Sequence, residues 1–148
     1  MIRSIFLFCF CLFFMSGGCF RGQLDLPKLY PVTVSVVMNG QPVEQATVAC
    51  FPKDGSEWFA GGVTGADGTV RLQTKGRYNG IPSGDYKVVV IKLVQAENST
   101  EEHPRMYRAV HSQYERKETT PLVCLIEKNT RTLEFVVEAA PARDLVDP

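Results

Sequence analysis

Apolar and polar residues alternate with a period of two in seven short segments between positions 30 and 138. This alternation is typical of strands with one buried face, whereas an amphipathic helix repeats its apolar positions about every 3.6 residues. Turn dipeptides such as Asn39-Gly40 and Asp67-Gly68 separate the segments. The sequence therefore predicts an all-β domain, a seven-stranded β-sandwich over residues 30–138. The predicted strands are 32–36, 46–50, 58–64, 70–72, 86–91, 122–126 and 133–137.

The segment 86–91 carries apolar side chains on both faces, because Val89 and Ile91 alternate with Val88 and Val90. A strand that is apolar on both faces is buried from both sides. We therefore expect it in the interior of a sheet.

Residues 95–119 lack this alternation, carry many charges and contain both histidines, His103 and His111. We predict a long charged loop here, and loops of this length are either functional or mobile. The alternative is a solvated excursion with one short helical turn near 106–114. Residues 139–148 are predicted to be a disordered tail.

The amino terminus begins with a basic residue, Arg3, followed by an unbroken apolar run over 5–15 and the small residues Ser16, Gly17 and Gly18. A transmembrane helix needs about 20 apolar residues, and this run is shorter. The order of basic, apolar and small residues predicts a secretory signal peptide over residues 1–18. The alternative is a short anchor helix that is never cleaved.

The residues Ser16-Gly17-Gly18-Cys19 resemble a bacterial lipobox, although Ser16 stands where Leu is usual. The resemblance implies cleavage before Cys19 and attachment of lipid, with palmitate as an acyl group, to its sulfur. Ordinary cleavage near Gly18 is the alternative. Residues 19–29 would then form a tether to the membrane. Phe20 in place of Asp after the cysteine favours the outer membrane over the inner one, by analogy with enterobacterial sorting.

Two cysteines, Cys50 and Cys124, lie in predicted strands beyond this region. In an exported protein they are candidates for a disulfide, which would stabilise the fold by about 3–4 kcal/mol in the chain-entropy model. The alternative is a pair of buried thiols that pack as small apolar side chains. Neither cysteine has neighbours at the spacing of a zinc site.

Three motifs occur in the order found in a known family. Residues 30–46 (YPVTVSVVMNGQPVEQA), 62–72 (GVTGADGTVRL) and 80–90 (GIPSGDYKVVV) resemble the corresponding segments of carboxypeptidase-regulatory-like, or transthyretin-like, domains. Tyr114 and the following 120–122 (TPL) are similar to a segment of short lipoproteins of planctomycete-type bacteria that carry this domain. The resemblance implies an Ig-like or prealbumin-like sandwich anchored in the cell envelope.

Charge and motif content exclude several functions. The chain has 16 basic and 16 acidic side chains, so it lacks the positive surplus of a nucleic-acid-binding protein. No catalytic triad, phosphate loop or calcium loop is present, and we expect neither enzymatic activity nor a cofactor or bound metal. The motifs of two enzyme classes with similar sandwiches, hydroxyisourate hydrolases and intradiol dioxygenases, are also missing.

We therefore expect a non-catalytic envelope lipoprotein that contacts the membrane through its lipid and binds an envelope protein or a glycan. Trp58, Phe59 and Tyr78 are candidates for an exposed aromatic patch that would hold such a partner. The alternative for these rings is that they cover the edge of the core. Two other functions stay open: a metal-dependent or hydrolytic activity in the 95–119 loop, and a structural spacer without a specific ligand.

Overall fold

The computed structural model describes residues 25–97, 99–100, 105–142 and 145–146. The predicted signal peptide (1–18), Cys19, most of the tether and His103 lie outside the described residues. The described part contains fifteen short strands and one turn of 3-10 helix, Ser112–Glu115. The strands are β1 (Leu29–Tyr30), β2 (Thr33–Met38), β3 (Gln41–Pro42), β4 (Thr47–Pro52), β5 (Ala60–Val63), β6 (Thr69–Arg71), β7 (Gln73–Thr74), β8 (Tyr78–Asn79), β9 (Ile81–Pro82), β10 (Gly84–Ile91), β11 (Leu93–Gln95), β12 (Met106–Arg108), β13 (Val123–Ile126), β14 (Thr132–Val137) and β15 (Leu145–Val146).

Of the four sheets in the described residues, two form the sandwich. The larger is antiparallel and has the order β13-β10-β4-β5-β7-β8. In the smaller, β2 lies between β14, which runs parallel to it, and the short strands β3 and β6. The prediction of an all-β sandwich is confirmed, and each of the seven predicted segments overlaps a strand. The further strands are two to three residues long, too short for alternation to reveal them.

The core lies between the sheets because alternate residues of each strand point inward. Burial along β2 and β4 follows this period, with Val34, Val36, Val48 and Cys50 fully buried. The inward residues of the two sheets form one cluster. Its members on the longer strands are Val34, Val36, Val48, Cys50, Tyr86, Val88, Val90, Cys124, Ile126, Phe135 and Val137.

The strand β10 is paired along its length, with β4 on one side and β13 on the other. The expectation of an interior strand is thus confirmed. Its outward residue Val89 is also buried, and the 3-10 turn packs on this strand. Thr120 donates a hydrogen bond from Oγ1 to the carbonyl oxygen of Val88 (2.7 Å).

The segment predicted as a long charged loop contains regular structure. β11 and β12 pair in an antiparallel hairpin, and the 3-10 turn follows. His111 caps that turn, since its Nδ1 accepts a hydrogen bond from the Gln113 amide (3.2 Å). The Arg108 Nε–Glu115 Oε1 ion pair (2.9 Å) joins β12 to the turn. Local backbone pairing forms these elements in the described part of the segment without an alternating apolar pattern.

The segment predicted as a disordered tail is also partly regular. Val110 forms an isolated bridge with Ala139, and the strand β15 pairs with β12, opposite Met106 and Tyr107. These bonds join backbone groups and need few apolar side chains, so composition did not reveal them.

The predicted tether ends inside the sheet structure. β1 pairs with β9, with Leu29 opposite Pro82 and Tyr30 opposite Ile81. This pairing fixes the point at which the amino-terminal segment reaches the domain. No helix in the part of the chain that the structure describes is long and apolar enough to span a membrane.

Candidate binding groove

A groove of about 610 Å³ lies at the end of the sandwich where the amino-terminal segment joins it. Its volume falls in the range of about 300–1,000 Å³ that is usual for small-molecule sites. Two other depressions, of about 580 and 470 Å³, have no aromatic side chain in their lining. We call the first the Trp58 groove; it is lined by Pro27, Pro52, Lys53, Asp54, Ser56, Trp58, Pro82, Ser83, Gly84, Asp85 and Tyr86.

Three chain segments meet in the Trp58 groove. β4 ends at Pro52 and continues into the loop 53–58, while the chain reverses from β9 into β10 at Ser83 and Gly84. The Lys53 amide donates a hydrogen bond to the carbonyl oxygen of Asp85 (2.9 Å), which ties the first two segments together. Pro27 from the amino-terminal segment closes one side.

Tyr86 forms part of the groove wall and is buried. Its hydroxyl donates a hydrogen bond to the carbonyl oxygen of Pro82 (3.0 Å), so it holds the turn between β9 and β10 in place. Burial, with smaller effects from Cys50 and Asp54, raises the pKa of Tyr86 well above its ordinary value. The phenol therefore stays protonated and serves as a hydrogen-bond donor, not as a base.

Trp58 is the one tryptophan of the chain, and it is half-buried. The Lys75 ammonium lies 4.2 Å from the centroid of its ring, a cation–π contact. The same ammonium forms an ion pair with Glu57 Oε2 (2.7 Å). Lys75 therefore occupies one side of the ring and restrains its orientation, while the indole also lines the groove.

The polar residues of the groove are more exposed than its apolar residues. Asp54, Ser56, Ser83 and Asp85 are all exposed, whereas the apolar lining is buried or half-buried. Asp54 Oδ1 accepts a hydrogen bond from the Ser56 amide (2.9 Å), which shapes the loop. The groove thus combines buried or half-buried apolar residues with exposed residues that can form hydrogen bonds.

The three rings of the predicted aromatic patch have different neighbours. Trp58 lines the groove, and Phe59, with 46% of its surface exposed, stacks on Phe51 with centroids 6.4 Å apart. Tyr78 lies on β8, with the Arg77 guanidinium 5.8 Å from its centroid. Of these three residues, the groove includes Trp58 alone.

Cys50 and Cys124 are free and buried, and both belong to the core cluster. They lie on β4 and β13, which are separated by β10. Two strand spacings place the backbones about 10 Å apart, whereas a disulfide spans about 4.4–6.8 Å between Cα atoms. This arrangement favours packed thiols, the second of the two alternatives for this pair. A hydrogen bond to Cys124, together with burial, raises the pKa of Cys50.

Metal-binding residues do not gather in the described ranges: no group of three or more His, Cys, Asp or Glu side chains there could hold a metal ion. His111 uses Nδ1 for the cap described above. His103, the other histidine of the segment, lies outside the described residues.

Sequence reasoning identified Trp58 but missed its companions in the groove, such as Asp54 and Asp85. The turn signals at Asp54-Gly55 and around 80–84 were visible in the sequence. The register between β10 and β4 could not be predicted from the sequence. In that register Tyr86 pairs with Pro52, and both turns therefore lie at the same end of the sheet.

No protein-family model and no curated protein matches the chain. Two solved structures are similar at low identity. The major pilin subunit of Bacillus cereus is 16% identical, with a TM-score of 0.49, over 78% of this chain and 31% of that one. A protein from Bacteroides ovatus assigned as an adhesin is 18% identical, with a TM-score of 0.41, over 76% and 45%. The chain thus spans less than half the length of either.

Proposed function

We propose that the chain is a non-catalytic binding module of the cell envelope that holds its ligand in the Trp58 groove. The observation that carries this proposal is the composition of the groove: its lining combines a restrained indole and three prolines with aspartates and serines. Sites that bind small ligands combine these two features.

The chemistry of the groove supports binding over catalysis. Catalysis needs a nucleophile beside a base, or an acid and a base with separated pKa values. The Tyr86 hydroxyl donates its hydrogen bond to the carbonyl oxygen of Pro82. The lining residues of the groove include two serines and no histidine that could act as their base. The groove can therefore hold a ligand without a means of transforming it.

We further propose that the module is exported and tied to the membrane by lipid on Cys19. In that arrangement residues 20–26 link the lipid to Pro27, which lines the groove. Seven extended residues reach about 25 Å at most. The groove would then face the zone next to the membrane and would bind a component located there.

A capture experiment tests the binding proposal. Immobilised full-length protein is incubated with detergent-solubilised envelope material, and the retained components are compared for wild type, Trp58→Ala and Phe59→Ala. We expect the wild type and Phe59→Ala to retain the same component and Trp58→Ala to lose it. Phe59→Ala is the matched control, because Phe59 is exposed and adjacent in sequence but does not line the groove.

Equal retention of a component by all three proteins would place binding outside the groove and contradict the proposal. Retention of nothing by the wild type would also contradict it and would favour a structural spacer. Circular dichroism of each variant verifies that the sandwich is intact. Loss of the captured component can then be attributed to the change in the groove and not to unfolding.

A further inference from the structure

We infer that the ligand of the Trp58 groove is an uncharged sugar, a pyranoside whose ring stacks on the indole. This inference rests on the proposed binding function and gives it a ligand class. Three observations on the groove lead to it: the restrained indole of Trp58, the polar residues in its lining and the sign of its net charge.

The indole of Trp58 is half-buried and fixed from one side by the Lys75 ammonium at 4.2 Å. The face of an aromatic ring carries partial negative charge, and it attracts groups with partial positive charge. The C–H groups on one face of a pyranose are such groups, and they form a flat apolar surface of similar size. A ring whose orientation is already restrained loses little entropy when a ligand stacks on it.

The polar residues of the lining supply the complementary contacts. Asp54, Asp85, Ser56 and Ser83 are among the lining residues. Carboxylates can accept hydrogen bonds, and hydroxyls can both donate and accept them. Hydrogen bonds to a charged group are about twice as strong as those between neutral groups. Sugar hydroxyls project from the edge of the sugar ring, and they would form hydrogen bonds with these polar residues.

The charge of the groove selects against anionic ligands. The lining contains two aspartates and one lysine, Lys53, and the Lys75 ammonium beside the indole is paired with Glu57, so the groove carries a net negative charge. Phosphorylated lipid headgroups, uronic acids and sulfated glycans would be repelled. An uncharged sugar has no such penalty.

A proline-rich peptide is the competing occupant, since such segments dock in aromatic-lined grooves. Those grooves need a series of ring-walled slots along the peptide. The Trp58 groove offers one tryptophan and one tyrosine, and the tyrosine hydroxyl is already bonded to Pro82. The observations therefore favour the sugar.

The test uses full-length protein in a zwitterionic detergent, because glycoside detergents carry sugar headgroups. Trp58 is the one tryptophan of the chain, so its fluorescence emission reports the groove directly. Maltotriose, cellotriose and tri-N-acetylchitotriose serve as uncharged probes, trigalacturonate as the anionic probe and a polyproline peptide as the competitor. We expect a saturable change in emission with at least one uncharged trisaccharide and weaker binding of trigalacturonate by about tenfold or more.

Calorimetric titration of variants then tests the contacts. Asp54→Asn and Asp85→Asn should each weaken binding of the uncharged sugar by about tenfold, since each loses a charged hydrogen bond. Glu134→Gln is the matched control, because Glu134 is an exposed carboxylate on β14, outside the groove. Glu134→Gln should bind the uncharged sugar with the affinity of the wild type.

Two results would overturn the sugar assignment: no response to any uncharged trisaccharide, or affinities that Asp54→Asn and Asp85→Asn leave unchanged. A response of Trp58 to the peptide alone would also overturn it, while leaving the groove as the binding site. Envelope capture that does not depend on Trp58 would instead contradict the proposed function itself.

Discussion

The space around a glycine determines whether a larger residue can replace it, as Gly68 shows. Its backbone has φ +72°, and a Cβ atom there would lie 2.7 Å from Pro42 Cβ and 3.0 Å from the Val36 carbonyl oxygen. Gly76 has φ +67° but no atom within 4 Å of the corresponding position. The two glycines thus share the backbone strain and differ in the space around them.

We predict that Gly68→Ala destabilises the domain more than Gly76→Ala does. The left-handed conformation costs a side chain about 1–2 kcal/mol at either position. At position 68 the overlap with Pro42 adds about 1–3 kcal/mol, the usual cost of overpacking. Urea unfolding followed by circular dichroism measures both free energies, and equal losses would show that the close approach at Gly68 is absent.

The thiol pair gives a second prediction at this scale. Cys50 is fully buried and its pKa is raised, whereas Cys124 is 8% exposed and its pKa is lowered by the hydrogen bond from Cys50. The thiolate is the reactive form. Iodoacetamide should therefore modify Cys124 before Cys50 in the folded protein, at a pH below the ordinary thiol value of 9.0.

Peptide mass spectrometry after controlled alkylation reads the order of modification. Cys124→Ser should leave Cys50 protected until the protein is unfolded. A peptide pair linked through Cys50 and Cys124, lighter by two hydrogens than the free thiols, would instead demonstrate the disulfide that the sequence leaves open.

Among the elements, two paired strands of the smaller sheet, the central β2 and the edge strand β14, show how alternation builds the sandwich. Val34 on β2 is fully buried, and Val136 on the neighbouring β14 is 63% exposed. Both are valines in the same sheet, and they differ in which face they occupy. Comparing substitutions at these two valines therefore isolates the contribution of the buried face to the free energy of unfolding.

Val34→Ala should cost about 2–3 kcal/mol of unfolding free energy, because it removes apolar contacts and leaves a cavity. Val136→Ala should change stability by about 0.5 kcal/mol or less. Urea unfolding measures both. Similar values would mean that β2 and β14 do not have the assigned inward and outward faces.

The long elements could be predicted from the sequence because their side chains carry the signal. Val34 and Val36, or Val88 and Val90, alternate with outward residues, and the turn at Asn39-Gly40 adopts positive φ angles of 52° and 75° as the dipeptide predicts. The hairpin of β11 and β12 carries no such signal. Its order comes from backbone pairing and from the Arg108–Glu115 ion pair, which depend on residues brought together by the fold.

In the whole molecule, the groove depends on how distant segments meet. Trp58 could be selected from the sequence because tryptophan is common in binding sites. Asp54 and Asp85 are distant in sequence and become neighbours through the pairing of β4 with β10. No local pattern contains that register, so the site could be predicted only in part.

The proposed anchor gives a prediction for the complete protein. Cys19→Ser should move the protein from the membrane pellet to the soluble fraction of cell lysates, because the acyl chains contribute most of the membrane affinity. Cys50→Ser is the control, since its thiol is buried in the core. If Cys19→Ser still fractionates with the membrane pellet, lipid on Cys19 is not what binds the protein to the membrane.

Binding in the groove is the central claim, and fluorine NMR of full-length protein labelled with fluorotryptophan tests it most directly. The chain has one tryptophan, so the label gives one resonance, that of Trp58. Solubilised envelope material should shift or broaden this resonance, and it should do so less when Asp54 and Asp85 are both replaced by Asn. A resonance that stays unchanged while the protein still captures an envelope component would contradict the account.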